Sequence, residues 1–315
     1  MDRIEKAINN LLSKSDKALM SRIEEIKYCV DIPETNSKGY CYCLKVDANG
    51  RLRLQDLIDY IDTRIVDYAI PKKKIDEAKD DLIKNNSPRK ILQLRKEAAS
   101  LFTDLKTTGE GGEILLYIIT QDILELPQLI SKMSLKTSSK MHYHGADGVH
   151  FQYDKDSGHL NLYWAESKMY KDLHVAISSC LDSLKGFLLD PQGCTSTQER
   201  DIDLITSNIH QNINDETVEN LLLEYFDKDK EQSNRLIYKG ICFIGFDYDK
   251  YPSDTDITKT TEDIKRAILT EYEKWHNELG AKIKDRENLD KKEIHVFLIP
   301  FPSVDEFRKY YLQTL

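Results

Sequence analysis

A chain of 315 residues, 40% hydrophobic and 31% charged, is long enough to bury a sizeable core and polar enough to be a water-facing globular protein. No apolar run approaches the roughly 18–20 residues needed to cross a bilayer, and the opening M-D-R-I-E-K lacks a signal-peptide core, so the expected location is cytoplasmic, away from membranes. The net charge of −9 argues against nucleic-acid binding through bulk electrostatics, because phosphate contacts need local Lys and Arg to release counterions.

Taken in order, residues 2–27 carry Ile4, Ile8, Leu11, Leu12, Leu19, Ile23 and Ile26 at mostly helical spacing and predict an N-terminal helix. Residues 33–39 form a turn, and 40–46 a strand ended by Asn49-Gly50. Leu54, Leu57, Ile58, Ile61, Ile65 and Val66 mark a helix stopped by Pro71, and a second helical stretch runs to about Asn85. Ser87-Pro88 starts another helix through Ile91, Leu94, Ala98 and Leu101. Across these helices lie Lys72, Lys73, Lys74, Lys79, Lys84, Arg89, Lys90, Arg95 and Lys96. They make either a track for a nucleic-acid backbone or, more simply, a solvated helical face.

A helix begins near Gly109 and is apolar almost all round from 113 to 124, as for a helix enclosed by other layers. Glu110 and Glu113 share a face with Tyr117; Glu113, deeper in the apolar run, is the better candidate to point at a site, and Glu110 reads as a first-turn acid favoured by the helix dipole. A polar loop over 131–141, with lysines 132, 136 and 140, leads through His142 and His144 to the next strands. In the strand 160–168, Leu160, Leu162, Trp164, Glu166 and Lys168 share one face, and upstream Asp147, Val149, Phe151 and Tyr153 repeat the pattern. An amphipathic helix follows over 173–188. The polar region 191–215 reads as a solvated loop and helix face. A strand at 237–248, a helix at 261–283, a strand at 293–300 and a helix bearing Val304, Phe307, Tyr310 and Tyr311 close the chain. This order predicts an α/β fold, a three-layer α/β/α sandwich with a mixed sheet. An N-terminal strand and helical portion, 1–86, joins a second domain, 87–315.

The chemistry lies in Asp147, Glu166 and Lys168, with Glu113 on the preceding helix. Two charges ending an apolar strand face are costly to desolvate unless paired or bound. Carboxylate oxygens suit a hard divalent cation, and a nearby ammonium can offset charge on a reacting phosphate. No G-x-x-x-x-G-K-S/T loop is present to bind ATP, and no G-x-S-x-G elbow supports a serine hydrolase. The six cysteines lack zinc-finger spacing and read as reduced thiols.

Asp147 followed by Glu166-Ser167-Lys168 resembles the PD-(D/E)xK nuclease superfamily; Ala146 stands where the superfamily's proline would. The ordered segments G-E-G-G-E-I-L-L-Y at 109–117, H-G-A-D-G-V-H at 144–150 and W-A-E-S-K at 164–168 resemble, more narrowly, the HamA family, the nuclease subunit of the Hachiman antiphage defence system. The resemblance implies a restriction-endonuclease-like fold and metal-dependent DNA cleavage. It implies catalytic Asp147, Glu166, Lys168 and Glu113, with Asp147, Glu166 and Glu113 holding Mg²⁺ or, in its place, Mn²⁺. It also implies a HamB-type ATP-dependent helicase partner that restrains the nuclease. Candidate docking surfaces are the N-terminal helices within 2–102 and the C-terminal aromatics Phe307, Tyr310 and Tyr311, unless these residues complete the core. The alternative is an inactive nuclease-fold scaffold or DNA-binding subunit, in which Glu166 and Lys168 form a structural ion pair.

Overall fold

Two runs, Leu236–Asp247 and Ile294–Phe301, are buried over most of their length, the mark of parallel strands covered on both faces. A computed structural model describes residues 2–13, 18–102, 109–131, 133, 145–189, 196–252 and 258–314. In chain order the described elements are α1 (Asp2–Asn9), β1 (Ile23–Asp31), β2 (Lys38–Leu44), α2 (Leu54–Thr63), α3 (Ile65–Ala69), α4 (Lys72–Asn85) and α5 (Arg89–Ser100). Then come α6 (Glu110–Asp122), β3 (Gln128–Ser131), β4 (Gly148–Asp154), β5 (His159–Tyr170), α7 (Leu173–Leu188), α8 (Thr197–Asn208) and α9 (Glu216–Phe226). The last are β6 (Leu236–Asp247), α10 (Thr261–Lys284), β7 (Ile294–Phe301) and α11 (Val304–Thr314).

The strands form one seven-stranded mixed sheet in the order β1-β2-β7-β6-β5-β4-β3. β5, β6, β7 and β2 are parallel, and antiparallel pairs close both edges. Helices cover both faces, so the architecture is the three-layer α/β/α arrangement. On one face Trp164 of β5 stacks on Phe187 of α7, centroids 5.2 Å apart. Trp275 of α10 meets Phe246 of β6 edge-on at 5.0 Å. On the other face lie α6 and α11, the latter seating Phe307 against Phe301 of β7 at 5.2 Å. The sheet spans the expected boundary near Ser87, since β1 and β2 join it through β7.

Capping explains several helix starts. Thr260 and Asp263 form a reciprocal capping box on α10, and Asp172, Ser196 and Asp215 accept first-turn N–H groups of α7, α8 and α9.

Three expectations need correction. The N-terminal helix ends at Asn9, and Ile23 and Ile26 belong to β1. Register shifts between Glu25 and Lys27, and again between Lys27 and Val30, break the alternation of this edge strand. Its buried residues therefore fall three apart and mimic a helical period. The region 191–215 is more than a solvated surface: α8 buries Gln198, Asp201, Ile202 and Ile205. Phe307 and Tyr311 are each 1% exposed, so they complete the core and offer no docking surface. Of the expected loop 131–141, most lies outside the described residues, as do His142 and His144.

The pair Gly111-Gly112 lets the start of α6 approach two neighbours. A Cβ at Gly111 would lie 3.0 Å from the rings of Phe307 and Tyr311, and one at Gly112 would lie 2.7 Å from Ser167 Oγ. Gly111→Ala pushes against two rigid rings, and overpacking costs about 1–3 kcal/mol, more than the roughly 1 kcal/mol a helix gains from alanine. The variant is expected to melt below wild type; an equal or higher melting temperature would show that α11 yields freely.

Candidate active site

The β4–β5 hairpin pairs Gly148 with Ala165 and Val149 with Trp164. Continuing this register by one residue sets Asp147 opposite Glu166, on the face that carries Trp164. Here the ladder changes character. Asp147 N–H still donates to Ala165 O at 3.0 Å, but the next β5 amide, Ser167 N–H, donates to Asp147 Oδ2 at 2.9 Å. The side chain of Asp147 thus bonds the strand where a backbone carbonyl would ordinarily do so, and both Asp147 and Glu166 are buried.

Glu166 and Lys168 project from the same face of β5, as period-two alternation requires, and Lys168 Nζ lies 2.8 Å from Glu166 Oε2. Burial works against the charge on Lys168, but the carboxylates of Glu166 and then Asp147 outweigh it and hold the ammonium above its ordinary pKa. Lys168 is therefore a cation at neutral pH. Beneath it, the buried thiol of Cys180 donates to Glu166 O at 3.4 Å, and burial followed by the neighbouring Cys242 pushes its pKa up, so it serves as packing.

Glu113 enters from α6. Tyr68 of α3 shares its hydroxyl between Glu113 Oε2 at 3.3 Å and Asp147 O at 3.4 Å. Burial, then the acids Glu113, Asp147 and Glu110, raise the Tyr68 pKa well above normal, so the phenol is a permanent donor. Glu110 is buried as well; it and Glu113 contribute, after burial, to the raised pKa of Tyr311. Tyr68 also lines a polar cavity of about 460 Å³ whose walls include Lys72, Lys79, Gln121, Gln128 and Asn212. The basic helices nearby are largely ion-paired: Lys72 and Lys79 with Asp76, Lys74 with Glu97, Lys90 with Asp81 and Arg95 with Asp62. That pairing matches a solvated helical face rather than a bare cationic track.

Two residues near these acids were not evident in the sequence. Tyr68 sits on the stripe of a short helix and reads as core. Asp201 lies in an acidic run, although it shares the spacing of buried Gln198 and Ile205 on α8, the one signal that could have found it. Asp201 Oδ2 accepts the N–H of Ala146 at 3.0 Å. Burial raises its pKa from 3.8 to about 6, against lowering by that N–H and by Arg200.

Among the described residues no group of three or more His, Cys, Asp and Glu side chains forms a metal-holding cluster. The donors present nevertheless suit a hard cation: Asp147, Glu166 and Glu113 offer carboxylate oxygens and no soft ligand. Mg²⁺ characteristically takes one or two protein carboxylates, with water and substrate phosphate completing its shell.

The raised pKa of Asp201 has a consequence for stability. Between pH 6 and pH 4 the folded chain binds this proton more tightly than the unfolded chain, so the contribution of Asp201 to stability falls as pH rises through that window. Asp201→Asn, neutral throughout, is expected to be more stable than wild type at pH 7 by about 1–2 kcal/mol, with the gain vanishing near pH 4. Thermal melts at the two pH values check this; a gain equal at both would rule out the titration of Asp201 as its cause.

No curated protein matches this chain. The family model HamA matches residues 20–315, a span that contains the sheet from β1 onward and every candidate site residue. The chain belongs to the HamA family, a component of the Hachiman antiphage defence system.

Proposed function

We propose that this chain is a divalent-metal-dependent deoxyribonuclease, the effector of its defence complex. The observation that carries the reading is the meeting of Asp147, Glu166 and Lys168 where β4 departs from β5, with Glu113 joined to Asp147 through Tyr68. Asp147, Glu166 and Glu113 are the residues that would hold Mg²⁺, or Mn²⁺ as a substitute. When bound, such an ion supplies Lewis-acid neutralisation of phosphate charge and a more acidic water. Lys168, held cationic by its two acids, offsets the negative charge that builds on the phosphate during displacement. Its raised pKa suits that role better than proton abstraction. Tyr68 bridges the Glu113 carboxylate and the backbone carbonyl of Asp147, tying the start of α6 to the chain that delivers Asp147.

Glu166→Gln, Lys168→Ala and Asp147→Asn are each expected to abolish Mg²⁺-dependent DNA cleavage while leaving the far-ultraviolet circular dichroism intact. Glu113→Gln should lose less if it supports the site from the side. Purified variants that degrade DNA at the wild-type rate would remove these residues from the reaction. The 2.8 Å pairing of Lys168 with Glu166 also favours a second reading, an inactive scaffold with a structural ion pair. A wild-type chain that cuts no DNA with Mg²⁺ or Mn²⁺, alone or in its complex, would favour that reading.

A DNase in the cytoplasm needs restraint, and the sequence carries no ATP-binding loop of the Walker type with which to sense nucleotide itself. The proposed restraint is a HamB-type ATP-dependent helicase. The two proteins, expressed together, are expected to co-purify and to show cleavage that depends on ATP and DNA. A chain that elutes alone and cuts identically whatever nucleotide is added would exclude this control.

A further inference from the structure

The turn that delivers Asp147 is held by a carboxylate from outside the hairpin. Asp201 is 5% exposed, and its Oδ2 accepts the Ala146 N–H at 3.0 Å. Its other oxygen is buried without a hydrogen bond among the described residues, and Arg200 Nε lies 4.0 Å from it. One hydrogen bond compensates a buried carboxylate poorly, so Asp201 is a costly way to pack α8. The helix has other anchors: Gln198 Nε2 donates to Phe187 O at 2.6 Å, and Ser196 caps its first turn. Phe187 in turn stacks on Trp164, two residues before Glu166 on β5. α8 is thus tied to the strand bearing Glu166 through α7, and to the turn bearing Asp147 through Asp201.

Consecutive backbone amides in that turn are both engaged, Ala146 N–H by Asp201 and Asp147 N–H by Ala165 O. These two bonds fix the peptide planes flanking Ala146, and Tyr68 holds the carbonyl of the plane that follows Asp147, so the Cα–Cβ direction of Asp147 is set before its carboxylate meets Ser167. We propose that Asp201 is a positioning residue for Asp147, holding the preceding turn so that the Asp147 carboxylate faces Glu166 and Lys168. The proposal rests on the reading of Asp147 as a catalytic carboxylate. Small displacements of such a group are expensive: a misplacement of about 1 Å can cost on the order of 100-fold in rate.

The test compares the full-length chain with Asp201→Ala and Asp201→Asn, measuring kcat and KM for Mg²⁺-dependent DNA cleavage together with hydrogen exchange at the Ala146 amide. Alanine removes the acceptor and should lower kcat by roughly 10–100-fold, the usual loss when a supporting partner is deleted, with KM unchanged and the Ala146 amide exchanging faster. Asparagine keeps a side-chain oxygen for the same N–H and should retain both kcat and protection. A residue serving only the packing of α8 would move neither the kcat-to-KM split nor the difference between the two variants. Wild-type kcat in Asp201→Ala overturns the proposal, as does loss of kcat in Asp201→Asn with Ala146 still protected. Should Asp201→Ala fail to fold by circular dichroism, Asp201→Asn decides by the same two readouts. A wild-type chain that cuts no DNA removes the nuclease reading itself, a result distinct from an active wild type whose alanine variant is equally active.

Discussion

Where β4 begins, the amide of Ser167 is bonded by the carboxylate of Asp147, and the rest of the candidate site depends on that substitution of side chain for strand. An antiparallel hairpin that continued for two more residues would bury the edge of β5 beneath another backbone. Instead the pairing of β4 with β5 ends at Gly148 while β5 runs on to Tyr170, and among the described residues Glu166 and Lys168 lie beyond the last paired residue of β4. A strand end of this kind re-aims side chains, as bulges do near the rims of sheets. The carboxylate keeps the Ser167 N–H satisfied, which a buried amide requires.

Buried acids at such a place need balance. Glu110, Glu113, Asp147 and Glu166 are all buried, and an uncompensated carboxylate in a low-dielectric interior is costly. Lys168 meets Glu166 directly, Tyr68 donates toward Glu113 and the Asp147 carbonyl, and the Ser167 amide holds Asp147. The residues that balance these charges come from α3 and β5, elements on opposite sides of the expected boundary near Ser87. The N-terminal portion therefore contributes to the candidate site as well as to the sheet.

The scaffold beneath is conventional in its physics. β6 and β7 are apolar on both faces because helices cover both, and Gly111-Gly112 lets the start of α6 sit against Ser167 of β5 and the rings of α11. Free thiols at Cys41 and Cys43 lie buried in β2, where burial raises the pKa of each and leaves them inert as packing groups. The acid-rich turn after β6 is likewise structural: Asp247 Oδ1 accepts the Val304 N–H at the start of α11.

Much of this was legible in the sequence because it is local. Period-two alternation puts Glu166 and Lys168 on the Trp164 face whatever the fold, and period-3.6 stripes with their caps mark α7 and α10. The unbroken apolar runs of β6 and β7 mark a sheet covered on both sides. Other features depend on contacts between distant residues and leave no local trace. A bulged edge strand buries residues three apart, so β1 looks helical until β2 is placed beside it. Phe307 and Tyr311 could equally face a partner or a core, and only the glycines of α6, nearly 200 residues away in sequence, decide that they are enclosed. Tyr68 and Asp201 read as an ordinary core residue and an ordinary surface acid; their tie to Asp147 exists only because the chain folds α3 and α8 onto the same turn. Sequence periodicity determines which side chains share a face, and tertiary packing decides what that face meets.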